Sequence, residues 1–305
     1  MTTKPTIRIG GFFSGIGSHI SACQRLADRA NFVYVFQCEF DDRTAKANNV
    51  LHGDIPNLGD ITTVDNIGGA LAVDILYWTP PCQDISNAGK MAGNAKGSGT
   101  RSALAYEVPR ILANTPESDR PKYLVMEEVP MMISKKFKDN FADLLGELSA
   151  LGYRHEYGIL NACDCGVAQS RRRVFVISKL NSPAPKLPAP IPLTKCLKDY
   201  LEPEPVDKSY YLSEERLKGL IWSNEKEAEA GNNYRFAPID ATHTHTHNNN
   251  PCRKQKNGQL PKVRIIMKDN AVFGRRGEIC GTDGLSRTVT AHFAKNSDEG
   301  LISYD

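Results

Sequence analysis

Cys82 follows two prolines in "YWTPPCQDIS", residues 77–86, and Glu127 lies near the end of "KYLVMEE". A deprotonated thiol attacks carbon, and a carboxyl beside it can exchange a proton or damp the charge that develops. Each residue follows a short apolar run that reads as a buried strand, and ligands of open α/β sheets bind at the carboxyl ends of strands. Both side chains are therefore expected in one crevice. An inert buried cysteine is the commoner use of a thiol and needs no rigid frame; Pro80 and Pro81 supply one here. The stretch after it, "NAGKMAGNAKGSGT", has glycines at 89, 93, 97 and 99 and reads as a mobile lid.

A second group is "FFSGIGS", which follows a strand and opens a helix. Gly15 and Gly17 allow a tight turn and close approach to a ligand. A dinucleotide fingerprint would require a third glycine where the chain has Ile20, so the pattern favours a nucleoside ligand without a pyrophosphate. Glu39 ends the next strand, where an acid commonly holds ribose hydroxyls. The bland alternative is a glycine turn beside a surface glutamate.

These residues need elements to position them. "TIRIGGFF", "FVYVFQCEF", "DILYW", "KYLVMEE" and "RRVFVIS" read as strands. "GIGSHISACQRLADRA" puts Ile16, Ile20, Cys23 and Ala27 on one helical stripe, and "RSALAYEVPRILAN" does so for Leu104, Val108 and Ile111. The alternation predicts a doubly wound, mainly parallel α/β sheet with helices on both faces, over residues 1–182. "PAPKLPAPIP" is a stiff connector with five prolines. Residues 183–305 read as a smaller irregular region, with one helix predicted from an N-cap at Ser213.

The 305-residue chain is 40% hydrophobic and 24% charged, with no run of the length a membrane span requires and no signal-peptide core at its start. Cysteines at 23, 38, 82, 163, 165, 196, 252 and 280 form no Cys-x-x-Cys pair, so reduced thiols, a cytoplasmic setting and no metal are expected. Net charge is only +3, so a nucleic-acid surface must be local. Residues 251–276 provide one, with eight Lys/Arg against a single acid, Asp269. His243, His245 and His247 share one side if extended and read as a DNA-facing or exposed strand. Cys163 and Cys165 read as local packing.

"FFSGIGS", "CEF", "GDIT", "PPCQDIS", "TRSAL", "MEEVP" and "QSRRR" occur in the order and spacing of the DNA (cytosine-5) methyltransferase family, over residues 7–178, and "GLSRTVTA" resumes the resemblance. That resemblance implies a class I, Rossmann-like methyltransferase domain with a target-recognition region after it. Cys82 resembles the thiolate that adds to C6 of cytosine, which lets C5 take the methyl group of S-adenosylmethionine. Loss of the C5 proton and of the cysteine then releases 5-methylcytosine. Glu127 is similar to the acid on N3 and the exocyclic amine, and the base must be flipped out of duplex DNA. The two prolines would keep the sulfur in line with C6, where misplacement is costly. Phe13, Ser14, Gly15, Ile16 and Gly17 resemble the cofactor turn, with Glu39 on the ribose and Phe40 stacked on adenine. Asp60 would meet the adenine amine, with Ile61, Pro81 and Leu104 as further cofactor contacts. Arg171 and Arg173 resemble catalytic arginines. Gln83, Ser86, Gln169, Arg275, Arg276, Thr288 and Thr290 resemble DNA contacts. Gln169, Arg171 and Arg173 are expected to alternate on one face at the start of a strand.

Two departures stand out. The family usually has Glu-Asn-Val where this chain has Glu127-Glu128-Val129, so an amide with two donors is replaced by an acceptor-only carboxylate in the support of the cysteine loop. The family's last blocks, an Arg-Glu block and a Gly-Asn-(Ser/Ala)-Val block, do not follow "SRTVTAHFAKNSDEGLISYD". The expectation is the larger subunit of a two-chain enzyme, with a truncated chain as the alternative. The setting implied is restriction-modification or antirestriction. Competing readings are a transfer-RNA cytosine methyltransferase, disfavoured by the long region 183–290, and a non-catalytic subunit that binds DNA or cofactor, disfavoured by intact Cys82, Gln83 and Glu127.

Overall fold

The computed structural model describes residues 3–85 and 93–200, and short strands at 271–273, 279–281, 286–287 and 302–303. The chain forms two compact units, Met1–Leu160 with Arg172–Ala189, and Asn161–Arg171 with Pro190–Asp305.

The first unit is built on a six-stranded sheet. Its strands are β1 (Thr6–Phe12), β2 (Asn31–Cys38), β3 (Ile75–Trp78), β4 (Tyr123–Glu128), β5 (Tyr153–Asn161) and, after the two-residue β6 (Gln169–Ser170), β7 (Arg172–Leu180). They lie in the order β2-β1-β3-β4-β7-β5. The β1–β2, β1–β3 and β3–β4 pairs are parallel, and β7 runs antiparallel to β4. Parallel neighbours need helical crossovers. These are α1 (Ser18–Gln24), α2 (Asp42–His52), α3 (Glu107–Asn114) and, between β4 and β5, α4 (Lys138–Ala150).

Register lines up the rows that build the core. Cys38, Phe12, Trp78, Met126 and Val176 stand side by side across five strands, each at most 2% exposed. They form one apolar cluster with Val108, Ile111 and Leu112 of α3 and Phe141, Leu144 and Leu148 of α4. Each such aliphatic side chain contributes about 1.5–3 kcal/mol by leaving water. On the opposite face, His19 of α1 stacks on Tyr77, ring centroids 4.8 Å apart. Helices therefore cover both faces, as the doubly wound reading requires. Among the described residues no helix is long and apolar enough to cross a membrane.

Two helices differ from their sequence patterns. Ile16 is 55% exposed because Gly15 and Gly17, at φ 55° and 79°, hold it in the turn before α1. α1 ends at Gln24 and continues as tight turns, so only Ile20, 1% exposed, carries the expected stripe inward. The helix foreseen over 101–114 is split into a 3₁₀ segment, Arg101–Tyr106, and α3. Pro109 lacks the N–H that would bond the Ala105 carbonyl, and its ring crowds that group; Val108 and Ile111 are nonetheless fully buried.

In the second unit, β6 pairs in parallel with β10 (Ser286–Arg287), Gln169 opposite Ser286. The strands β8 (Ala271–Phe273), β9 (Ile279–Gly281) and β11 (Ile302–Ser303) form a separate antiparallel sheet. Ser86, Arg275, Arg276, Thr288, Thr290, the three histidines at 243–247, the helix expected from Ser213 and the first half of the glycine-rich lid lie outside the described residues.

Candidate active site

The turn after β1 is held open by its backbone. Phe13, Gly15 and Gly17 all adopt positive φ, and a side chain at 17 would strike the Asn48 amide and the His52 ring. Ser14 is buried and locks the turn to β2: its hydroxyl donates to the Gly11 carbonyl (2.7 Å) and accepts from the Cys38 amide (3.0 Å). Glu39 is drawn in by the Gly15 and Asp41 amides, at 2.9 and 3.0 Å on its two oxygens. The Asn57 side chain clamps the Glu39 backbone from both sides, at 3.0 Å each way. Phe40 follows with its ring 76% exposed. Asp60 caps the 3₁₀ turn Ile61–Thr63 through the Thr62 amide and hydroxyl, both 2.9 Å, and Ile61 is buried behind it. An open turn, an anchored carboxylate and an exposed ring fit a nucleoside.

The cysteine loop is tied on both sides. Thr79, just past β3, donates its hydroxyl to the Phe13 carbonyl (2.8 Å), fastening the loop's root to the turn. Ser102, 2% exposed, donates its hydroxyl to the Pro81 carbonyl (2.6 Å) and accepts from the Asp84 amide (3.1 Å), while the Ser102 amide donates to the Asp84 carboxylate (3.1 Å). Cys82 hangs between these anchors, half-buried against the core, and Leu104 packs on the same cluster. Gln83 is exposed and accepts from Arg101 (3.2 Å). The described half of the glycine-rich stretch is fastened at Gly93, whose amide bonds Asp84 and whose carbonyl accepts from the Thr100 hydroxyl.

β4 delivers two carboxyls to opposite faces, since neighbouring strand residues alternate. Glu127 pairs with Arg173 of β7, Nε to Oε1 at 2.9 Å, the side chains 16% and 19% exposed. Glu128 is 3% exposed on the core face, opposite Val174, and accepts from the Val129 amide. Burial pushes its carboxyl up to about 8; the Val129 amide and Arg173 pull it down, and Glu127 adds to the rise. A carboxyl so raised holds its proton more firmly than an ordinary glutamate, while the hydrogen bond described for it is one it accepts, from the Val129 amide. The Cys82 thiol is also pushed above its ordinary value, first by burial and then by Glu128, with Arg173 opposing. At rest Cys82 is a thiol rather than a thiolate.

Cys82, Glu127 and Arg173 come together in the first unit, as do all the expected cofactor residues. Gln169 and Arg171 belong to the second unit. They do not share a strand with Arg173: the Arg171 amide donates to the Asn161 side chain (2.9 Å), and β7 begins one residue later. Sequence reasoning missed Ser102, Thr79, Asp84 and Asn57. The first three stand inside or beside recognised blocks, but nothing in a single serine, threonine or aspartate announces which backbone it will bond. Among the described residues no group of three His, Cys, Asp or Glu is placed to hold a metal ion.

Comparison with known proteins agrees with this architecture. A family model described as C-5 cytosine-specific DNA methylase matches residues 7–293. The orphan methyltransferase M.SssI of Spiroplasma monobiae is 45% identical over 109 residues, 36% of this chain and 28% of that protein. The type II methyltransferase M2.ScrFI of Lactococcus lactis subsp. cremoris is 40% identical over 162 residues, 53% of this chain and 43% of that one. The matched chain thus spans less than half of either relative. The type II methyltransferase M.NlaX of Neisseria lactamica is 27% identical over 252 residues, 82% and 77% of the two chains. Among solved structures, the Entamoeba histolytica methyltransferase EhMeth shares the fold with a TM-score of 0.58 at 21% identity, covering 72% of this chain and 67% of that one. With the family model spanning nearly its whole length, the chain belongs to the C-5 cytosine-specific DNA methylases.

Proposed function

We infer that the chain methylates C5 of a cytosine flipped out of duplex DNA, with S-adenosylmethionine as methyl donor, within a restriction-modification or related system. The observation that carries this reading is Cys82 behind two prolines, in a loop that Ser102 latches at Pro81 and Asp84, in the unit that also presents the Glu127–Arg173 pair. A nucleophile that must meet one carbon needs such fixation, because held geometry replaces the entropy of a chance encounter.

The residues divide the work. Glu39, Phe40, Asp60 and the Phe13–Gly17 turn would hold the cofactor, whose sulfonium supplies an electrophilic methyl group when bound. Cys82 forms the bond to C6 of the base as its thiol proton leaves, and the ring electrons move to C5. Arg173 holds Glu127 against the ring edge, where the carboxyl meets charge that develops at N3. After methyl transfer the C5 proton departs, and the C6–S bond breaks to restore the ring and the cysteine. Gln169 and Arg171 are proposed to contact the flipped base or its phosphates. Basic residues in 251–276, including Arg275 and Arg276, supply the duplex-facing charge, with Thr288 and Thr290 on phosphates.

The test is transfer of labelled methyl groups from S-adenosylmethionine to unmethylated phage DNA. Wild type should label it and C82S should not, while both still bind the cofactor. Equal labelling by the two would remove Cys82 from the reaction. Running each with and without the product of the neighbouring reading frame decides whether a second chain is required.

A further inference from the structure

Glu128 sits where burial is costly for an acid. It is the last residue of β4, 3% exposed, on the face shared with Leu124 and Met126. Its neighbours offer little to hold a negative charge: the residue opposite is Val174, and the hydrogen bond it receives is from the next amide, that of Val129. Register places Trp78 beside Met126, so the chain leaving β3 toward Cys82 runs beside the end of β4. The charged and titratable groups that act electrostatically on Glu128 or are acted on by it are Glu127 on its own strand, Arg173 on β7 and Cys82 on the loop after β3. The Pro130–Ile133 turn that follows carries no titratable side chain.

Arg173 is a cation that acts on both carboxyls and on the thiol, and its side chain is paired with Glu127. We propose that Glu128 is a positioning residue for the nucleophile that acts only while protonated: neutral, it leaves Arg173 to Glu127 and lets the Cys82 sulfur take up negative charge; ionised, it opposes both. Like charges close together in a poorly solvated site do not ionise independently, and their protons leave in coupled steps. Burial, which pushes the Glu128 carboxyl up to about 8, keeps this group in its working form at neutral pH. The inference rests on the reading of Cys82 as the nucleophile, but its coupling to Cys82 is measurable without methyl transfer.

The experiment is alkylation of the full chain with iodoacetamide between roughly pH 6 and 10, following the Cys82 peptide by mass spectrometry, for wild type and E128Q. In this reaction the thiolate displaces iodide and the thiol proton goes to solvent. E128Q should shift the midpoint of Cys82 reactivity down by about one pH unit, the scale of one removed neighbouring charge, while Cys163 and Cys165 keep theirs. Coincident Cys82 midpoints in the two proteins overturn the proposal. A second measurement needs no variant: with glutamate carboxyls labelled with carbon-13, one resonance of the wild-type chain should titrate near pH 8. Titration of every glutamate in the ordinary carboxylate range also overturns it. In methyl transfer, the loss of rate expected for wild type above about pH 8 should be absent from E128Q. Labelling of DNA by C82S would instead sink the nucleophile reading and leave the alkylation result standing.

Discussion

Replacing Ser102 by alanine removes one hydroxyl that bridges Pro81 and Asp84, the residues on either side of Cys82 and Gln83. Both bonds are neutral, partly buried and of ordinary length, so each contributes about 1 kcal/mol net, and the pair about 2 kcal/mol. The Asp84 carboxylate keeps its bond to the Ser102 amide in the variant, so the loop loses one clasp of two. If the loop stays in place, the whole loss appears in stability, as a fall in Tm of about 4–8 °C for a unit of this size. The loop is expected to loosen instead, because it can shift without carrying the core with it. The loss then falls on the placement of the sulfur, and 2 kcal/mol corresponds to about a 30-fold fall in kcat. KM for S-adenosylmethionine should hold, since the turn that would bind it has its own ties to β2. S102T keeps a hydroxyl and should recover most of the rate. Steady-state methyl transfer alongside thermal unfolding separates the outcomes. S102A with wild-type kcat and an unchanged Tm would show that the hydroxyl positions nothing.

Three further perturbations follow from the same geometry. R173A strands the Glu127 carboxylate in a largely desolvated place and should cost about 3 kcal/mol in denaturant unfolding, with methyl transfer falling at least about 100-fold; a stability change near zero would mean the pair is solvated in practice. F40A truncates a residue that is 76% exposed, so stability should stay within about 0.5 kcal/mol while calorimetry shows cofactor Kd rising roughly 10-fold, the worth of one stacked aromatic; unchanged Kd would remove Phe40 from the pocket. The pH dependence of stability divides at the ordinary histidine value. Glu128, raised to about 8, binds its proton more tightly when folded, so its contribution is full at acid pH and is lost as pH rises toward 8. His19, lowered to about 4 by burial and by His52, stabilises above its ordinary value of 6.5 and loses that as pH falls. Between 6.5 and 8 Glu128 should dominate: Tm declines with pH in wild type and is flat in E128Q, as calorimetry can check.

Much of the fold was legible because its central strands are short, apolar and bounded by turns. "DILYW" and "KYLVMEE" could hardly be anything else, and their ends placed Cys82 and Glu127 correctly. β5 escaped notice because an edge strand with Arg154, His155 and Glu156 lacks the apolar run that marks its neighbours. α4 did carry a signal, Phe141, Leu144 and Leu148 at helical spacing, and all three are buried as such spacing implies. Pattern failed at Gln169, Arg171 and Arg173, where a period of two was extended across a strand boundary. Hydrogen bonding to Asn161 and pairing of β6 with β10, neither of which periodicity records, set that boundary. Glu128 shows another limit: residue type gives a carboxyl, and only burial says how firmly it holds its proton.

The Thr79 hydroxyl on the Phe13 carbonyl stitches the root of the thiol loop to the pocket proposed for the methyl donor, and it does so inside one unit of the chain. It works as a gauge, fixing the span between the group that would give the methyl and the sulfur that would hold the ring. A gauge of this kind is indifferent to which DNA is presented. Residues that read sequence can drift or be exchanged wholesale, and the reacting atoms would still meet at the same separation, so new specificities can arise without the chemistry being reinvented.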